Sequence, residues 1–155
     1  MIDSLSLNAE HAPEWRWTQP NEDGKGFAAL IGPIQYRRVG KGKAQARFLA
    51  NPDKHSNPLG GVHGAFQAAF AELCLGLPLV VENTLPAGGC VTVDLSLQYY
   101  ANSAPGEPLI ADVELVKETG RMAFVRGTLS QGGTLMTGFN AIMRKLSAPV
   151  SQTSA

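Results

Sequence analysis

One glutamate stands alone in the most apolar stretch of this chain. Between residues 64 and 81, Glu72 is the only charged side chain, and most of its neighbours are alanine, leucine or phenylalanine. A carboxylate is rarely buried without a partner, because taking its charge out of water costs several kcal/mol. Two interpretations are open from this residue alone. Glu72 either reaches a surface gap or a basic partner, or it is placed there for chemistry.

The segment just before this stretch favours chemistry. Its small and polar residues are Asn57, Gly60, Gly61, His63 and Gly64. Glycines let a ligand approach the backbone closely, although an ordinary loop would also use them. The first N–H groups of a helix lack partners within the helix and lie at the positive end of its dipole. Such an N–H can stabilise a carbonyl oxygen that gains negative charge during a reaction.

The spacing of these residues sets a geometric condition. Gly64 and Glu72 are eight positions apart, which is about 12 Å along a straight helix. One reacting carbonyl carbon therefore cannot contact both residues in a single chain. If a second copy of the helix runs antiparallel beside the first, Gly64 of one copy faces Glu72 of the other. The spacing thus predicts a two-fold dimer with two shared active sites.

Sequence periodicity indicates the elements that position these residues. Apolar residues recur at three- and four-residue steps over residues 64–81, which predicts a helix that is buried on all sides and is kinked or ended by Pro78. Strict alternation over residues 91–99 predicts a strand. Further strands are predicted at residues 27–36, 43–49, 109–117, 122–129 and 134–143.

Six strands and one apolar helix predict an α+β domain. A helix that is buried on all sides needs a strongly curved antiparallel sheet wrapped around it, which is the hotdog arrangement. We expect this domain to span residues 26–146. A short helix is expected within the N-terminal extension, residues 1–25, and a polar, flexible tail in residues 147–155.

Composition limits the possible classes of protein. Of 155 residues, 44% are hydrophobic and 17% are charged, with thirteen basic and thirteen acidic side chains. A chain without net charge does not fit a general nucleic-acid binder. Cys74 and Cys90 lack metal-ligand spacing, so we expect buried free thiols and no metal site. We find no signal peptide and expect a buried helix rather than a membrane span at residues 64–81, so a cytoplasmic protein is expected.

Several segments resemble the phenylacetate-pathway (PaaI-like) family of hotdog acyl-CoA thioesterases. They are NPLGGVHGA at residues 57–65 followed by Glu72, TVDLSLQYY at 92–100, APGE at 104–107, Gly120-Arg121, and residues 141–143. The resemblance covers about residues 27–146 and rests on the order and spacing of these pieces. Two positions depart from the pattern of many relatives: Ala65 replaces a second glycine, and Glu72 replaces an aspartate that is one methylene shorter.

The resemblance implies a thioesterase with roles for five residues. Glu72 would act as nucleophile or general base, and Gly64 would offer its N–H to the thioester carbonyl. Asn57 would help to hold the thioester or the attacking water. Thr92 would orient that water or the carboxylate, and His63 would order the turn rather than transfer protons.

Substrate contacts are expected around the same helix and at the rim of the domain. Phe66 and Tyr99 are candidates for an apolar acyl pocket, although they would serve equally as core. Arg121, in the turn with Gly120, is the preferred candidate for the phosphates of coenzyme A. The other basic candidates are Lys117, Arg37, Arg38 and Arg144. Coenzyme A would enter as part of the substrate, no other cofactor is expected, and a homodimer that pairs into a tetramer is expected.

Two other functions remain open at this stage. An enoyl-thioester hydratase or dehydratase would use His63 together with a carboxylate on the same fold. A non-catalytic acyl-CoA-binding protein would use the same pocket without hydrolysis. Fold alone does not decide among these, because one scaffold hosts several chemistries.

Overall fold

The computed structural model describes residues 14–18 and 26–147. Its helices are α1 (Phe27–Ile31), α2 (Pro52–His55), α3 (Gly64–Cys74) and α4 (Leu77–Val81). Its strands are β1 (Arg16–Trp17), β2 (Gln35–Gly40), β3 (Lys43–Leu49), β4 (Cys90–Tyr99), β5 (Pro108–Glu118), β6 (Met122–Gln131) and β7 (Thr134–Lys145).

The strands form one antiparallel sheet in the order β1-β2-β3-β5-β6-β7-β4. Helix α3 packs against β4, β5 and β6, whereas α4 packs against β2, β3 and β5. The two helices therefore contact strands from both halves of the sheet, which curves around them. This confirms the predicted α+β hotdog architecture, with the two-residue β1 added to the six expected strands.

The strand predicted at residues 27–36 is wrong in its first half. Residues Phe27–Ile31 form α1, and β2 begins only at Gln35. Gly26 and Gly32 have φ values of 94° and 103°, so the chain turns sharply on both sides of this segment. Two of its five residues are alanines, the best helix formers. A single helical turn fits between these two bends.

The apolar stretch Gly64–Val81 is helical and is interrupted near Pro78, as predicted. The helix breaks between Cys74 and Leu77, and Pro78 lies in the first turn of α4, where its missing N–H costs nothing. The expectation that the stretch is buried on all sides is wrong, since Ala65 and Glu72 are exposed. The whole stretch has the length and mean hydropathy (1.6) of a membrane span, but half of it is buried inside the fold.

Two residues of the N-terminal extension, Arg16–Trp17, form β1. The short helix and the domain limits expected from the sequence stay predictions. Residues 1–13 and 19–25 of that extension, and 148–155 of the expected tail, lie outside the described residues.

The two cysteines are free thiols, as predicted. Cys74 is fully buried, and burial raises the pKa of its thiol well above the usual range. Cys90 is half-buried rather than buried, because β4 is an edge strand of the sheet.

Candidate active site

The N-terminus of α3 presents one free backbone donor. The N-cap residue His63 accepts the Ala65 N–H at its Nδ1 (3.0 Å), and its carbonyl oxygen accepts the N–H groups of Phe66 (2.9 Å) and Gln67 (3.1 Å). Within the described part of the chain, the Gly64 N–H has no acceptor. This N–H lies at the positive end of the helix dipole, where it can bind a carbonyl oxygen.

Glu72 lies on the open face of α3. Its carboxylate is exposed, and its Oε1 accepts a hydrogen bond from Thr92 Oγ1 at 2.7 Å. Among the described residues no basic side chain forms an ion pair with it. Of the two structural explanations for this lone carboxylate, the structure therefore favours a surface gap over a basic partner.

A β-bulge in β4 brings Thr92 to Glu72. The pairing with β7 shifts between Thr92 and Asp94, so Val93 is an extra residue. Strict alternation would have placed Val93 on the helix side and Thr92 on the other. Instead Val93 is 58% exposed, while Thr92 faces α3 together with Leu95 and Leu97, which pack on the core.

The other end of β4 contacts the first turn of α3. Tyr99 donates its hydroxyl hydrogen to the Gly64 carbonyl oxygen at 3.0 Å. Its ring lies 3.5 Å from the position that a Gly64 Cβ would take. A single strand thus supports both the Gly64 end and the Glu72 end of the helix.

Asn57 shapes the loop that leads into α3. Its Oδ1 accepts the N–H groups of Leu59 (2.9 Å) and Gly61 (3.1 Å). Gly60 between them has a φ of 83°, which favours glycine. The same loop borders a pocket of about 230 Å³ that Asn57 and Ser103 also line. The carboxamide nitrogen of Asn57 donates no hydrogen bond within the described residues, so it can serve a ligand.

Sequence reasoning missed two buried polar residues beside the site. His55 is 9% exposed and stacks on Phe66. Gln67, on α3, accepts the Thr137 hydroxyl hydrogen at 2.6 Å and donates to the Val62 carbonyl oxygen at 3.3 Å. Gln67 is the only other strongly polar side chain in the apolar stretch, and that was the available signal. No comparable signal marked His55.

The candidates for substrate contact are distributed over the molecule. Phe66 is 6% exposed and belongs to the core of a single chain. Gly120 and Arg121 are exposed in the β5–β6 turn, away from the N-terminus of α3. Arg38 is paired with Glu82, and Arg37 donates to Gln45. Within the described residues, Lys117, Arg121 and Arg144 pair with no carboxylate.

A second concavity, larger than the pocket beside Asn57, lies elsewhere. It measures about 390 Å³ and includes Lys43, Asp112, Glu114, Arg126 and Asn140. These side chains alternate with buried core residues along their strands, so they occupy the sheet face that is turned away from α3. None of the predicted catalytic residues borders it.

Residues 51–144 match a family model described as the acyl-CoA thioesterase N-terminal domain. This match covers more than half of the chain and includes all five predicted catalytic residues. No curated protein sequence matches the chain.

Many solved structures share the fold. A phenylacetic acid degradation-related protein from Ralstonia eutropha JMP134 is 25% identical, with a TM-score of 0.66 over 74% of this chain and 86% of that one. A mutant of the phenylacetic acid degradation protein PaaI from Thermus thermophilus is 22% identical, with a TM-score of 0.61 over 73% and 93%. A Streptococcus mutans UA159 protein bound to acetyl CoA is 19% identical, with a TM-score of 0.63 over 72% and 87%.

Proposed function

The chain belongs to the acyl-CoA thioesterase N-terminal domain family, and from this membership we propose that it hydrolyses acyl-CoA thioesters at sites shared by two subunits. The products are a free acid and coenzyme A. The observation that carries the proposal is the open face of α3, which has the free Gly64 N–H near one end and the Glu72–Thr92 pair near the other. These groups are about 12 Å apart along the helix, so one chain does not bring both to one carbonyl.

A second subunit would bring a Glu72 close to the Gly64 N–H of the first. The open face of α3 carries small side chains at Ala65, Ala68 and Ala69, which allow another helix to approach closely. Strand β4 is a ten-residue edge strand on which Val91 and Tyr99 are about half exposed. Unpaired apolar edges of this kind favour pairing with another strand. An antiparallel partner that pairs along β4 and α3 would place its Glu72 opposite Gly64.

The proposed reaction uses protein groups and water. The thioester carbonyl oxygen accepts the Gly64 N–H, and the Asn57 carboxamide nitrogen is the proposed second donor. Glu72 of the other subunit then removes a proton from water as the water attacks the carbonyl carbon. When the carbon–sulfur bond breaks, Glu72 returns the proton to the departing thiolate. In the alternative route the carboxylate attacks the carbonyl carbon and displaces the coenzyme A thiolate, which forms a mixed anhydride. Water then hydrolyses this anhydride to the free acid, regenerates the carboxylate and supplies the proton that the thiolate takes up.

Thr92 orients the carboxylate in either route. Its hydroxyl occupies Oε1 of Glu72, which leaves Oε2 for the water or the carbonyl carbon. The reaction needs no metal or redox cofactor, and the free thiols Cys74 and Cys90 are compatible with the cytoplasm.

Binding of coenzyme A is supported by the similar Streptococcus mutans protein, which was solved with acetyl CoA. Arg121 is the proposed phosphate contact, with Lys117 and Arg144 near the same end of the sheet. The face that carries Lys43, Glu114 and Arg126 is polar and offers both charge signs, and we propose it for the pairing of two dimers into a tetramer.

His63 is less suited to the alternative hydratase chemistry. Its Nδ1 caps α3, so only Nε2 remains for proton transfer. No observation favours the binding-only alternative over hydrolysis.

The proposal is tested by thiol release from short, long and aryl acyl-CoAs. Wild type should release thiol from at least one of them. Glu72→Gln and Glu72→Ala should lose about two or more orders of magnitude in kcat/KM while their circular dichroism stays unchanged. The matched control is Glu107→Gln, an exposed carboxylate on the β4–β5 loop, which should retain activity. Near-wild-type turnover in a Glu72 variant would refute this role, and no turnover by a folded wild-type oligomer would favour a binding protein.

A further inference from the structure

His55, the last residue of α2, contacts the residue before α2, the end of the α2–α3 loop and the first turn of α3. Its Nδ1 accepts the Asn51 N–H at 2.9 Å, and its carbonyl oxygen accepts the His63 N–H at 2.7 Å. Its ring stacks on Phe66 with a centroid distance of 3.9 Å and an interplanar angle of 16°. Asn51 precedes α2, His63 ends the loop, and Phe66 lies in the first turn of α3.

These contacts surround the loop that carries the proposed donors to the thioester carbonyl. Asn57 lies within it, and Gly64 follows it directly. We propose that neutral His55 is a positioning residue for Asn57 and the Gly64 N–H, and that its protonation releases them and lowers thioesterase activity in acid. This inference rests on the proposed function and adds a pH-dependent control of the same site.

The hydrogen-bond pattern requires a neutral ring. A nitrogen that accepts a backbone N–H must present a lone pair, so the proton of the neutral imidazole is on Nε2. Protonation would place a second hydrogen on Nδ1, directly opposite the Asn51 N–H. The hydrogen bond would then become a repulsive contact in a site that is largely closed to water.

The surroundings of the ring also disfavour the charged form. The pKa of His55 is lowered from 6.5, first by burial and then by the positive charge of Lys54. The aromatic residues packed against it, Phe48 on β3 and Phe66 on α3, carry no charge. Because the folded pKa lies below the unfolded value, the neutral contacts are complete above pH 6.5. They are lost as the pH falls through the folded pKa.

Nuclear magnetic resonance tests the loop without reference to activity. In the wild-type protein, the ring protons of His55 should titrate below pH 6.5. The amide signals of Asn51, His63 and Gly64 should shift with the same midpoint. A His55 ring that titrates at or above this value, or loop amides that ignore its titration, would overturn the inference even if the protein hydrolyses no thioester.

Kinetics then tests the connection to the site. His55→Phe keeps an aromatic ring to stack on Phe66 but removes the acceptor, and should lower kcat/KM by about 10- to 100-fold. His55→Asn keeps an acceptor near the Nδ1 position, so it should restore most of the activity and show no loss from His55 in acid. If His55→Phe fails to fold, the His55→Asn profile still decides the matter. An unchanged acid limb in that variant would contradict the inference.

Lys54→Gln provides a readout that a purely structural role of His55 would not move. Lys54 is exposed, and removing its charge should raise the His55 pKa. The loss of activity in acid should therefore begin at a higher pH than in wild type, with activity at neutral pH unchanged. A profile that does not move would show that another group, such as Glu72, sets the acid limb.

Discussion

Thr92 Oγ1 lies 2.7 Å from Glu72 Oε1, although the two residues are on different elements and twenty positions apart. The contact depends on the bulge at Val93, which turns Thr92 toward α3. The contact holds Glu72, the only charged side chain of α3, in one orientation. In the proposed reaction, this orientation leaves the second carboxylate oxygen free for chemistry.

Removal of the Thr92 hydroxyl should therefore slow catalysis without unfolding the protein. A hydrogen bond to a charged group contributes about 1.5–3 kcal/mol, so Thr92→Val should lower kcat/KM by about 10- to 100-fold. Thr92→Ser retains the donor and should remain close to wild type. Ser96→Ala is the control, because Ser96 is on the same strand but on the other face. If Thr92→Val matches the Ser96 control in thiol release, the hydroxyl has no role in orienting Glu72.

The buried pair Gln67–Thr137 should contribute to stability. Thr137→Val leaves the Gln67 carboxamide oxygen without its donor inside the core, at a cost of about 1–3 kcal/mol. Gln67→Leu combined with Thr137→Val should cost less than the sum of the single changes, because neither partner of the Gln67–Thr137 hydrogen bond is then left without the other. The Val62 carbonyl oxygen loses its Gln67 donor in both variants that carry Gln67→Leu, so that loss cancels in the comparison. Urea unfolding of the four proteins measures this coupling. Thr134→Val, at an exposed position, should change little, and additive single changes would argue against a coupled pair.

Glu82 should make the β2–β3 hairpin sensitive to acid. Its carboxylate accepts hydrogen bonds from the Gly42 N–H and the Arg38 guanidinium, both at 2.9 Å. The Gly42 N–H and then the Arg38 hydrogen bond lower the pKa of this carboxyl from 4.5. Its contribution to stability is therefore complete above pH 4.5 and is lost as the pH falls through the lower folded value.

Glu82→Gln should accordingly reduce thermal stability at neutral pH. The difference from wild type should shrink as the pH is lowered below 4.5, because wild type loses the same charge. Thermal unfolding followed by circular dichroism measures this, with Glu107→Gln as the control for an exposed carboxyl. A difference that stays constant with pH would mean that Glu82 acts through packing instead of charge.

Local sequence patterns predicted most of the architecture. The strands at residues 43–49 and 122–129 and the helix start at Gly64 were found because alternation, helical spacing and glycine turns act over a few neighbouring residues. Helix α1 was missed because its five residues are too few to show a period. Its form depends on the backbone bends at Gly26 and Gly32.

The details of the site were less predictable because they depend on contacts between residues that are far apart in the sequence. Alternation along β4 put Thr92 on the wrong face, since a single extra residue at Val93 reverses the phase and leaves no mark in the sequence. The hydrogen bond from Tyr99 to Gly64 joins residues thirty-five positions apart. His55 shows no pattern in the sequence that would indicate burial, because its burial depends on its packing against Phe66 in the first turn of α3.

The Gly64 N–H at the N-terminus of α3 can be removed by one substitution. Gly64→Pro eliminates the N–H at the first helical position, where proline is well tolerated. His63 already has φ −61° and ψ 135°, a conformation that suits the residue before a proline. Loss of this oxyanion donor should lower kcat by about 10²- to 10³-fold. Gly64→Ala keeps the N–H, and its Cβ would meet Tyr99 only at an ordinary 3.5 Å, so it should stay active.

Complementation between Gly64→Pro and Glu72→Ala tests the shared site most directly. The two inactive variants, carrying different tags, would be coexpressed, and the tagged heterodimers would be purified and assayed for thiol release. If each site combines Gly64 of one subunit with Glu72 of the other, every heterodimer contains one intact site. The account then predicts recovery to about half of the wild-type activity per dimer. Heterodimers that form but remain as inactive as their parents would contradict it.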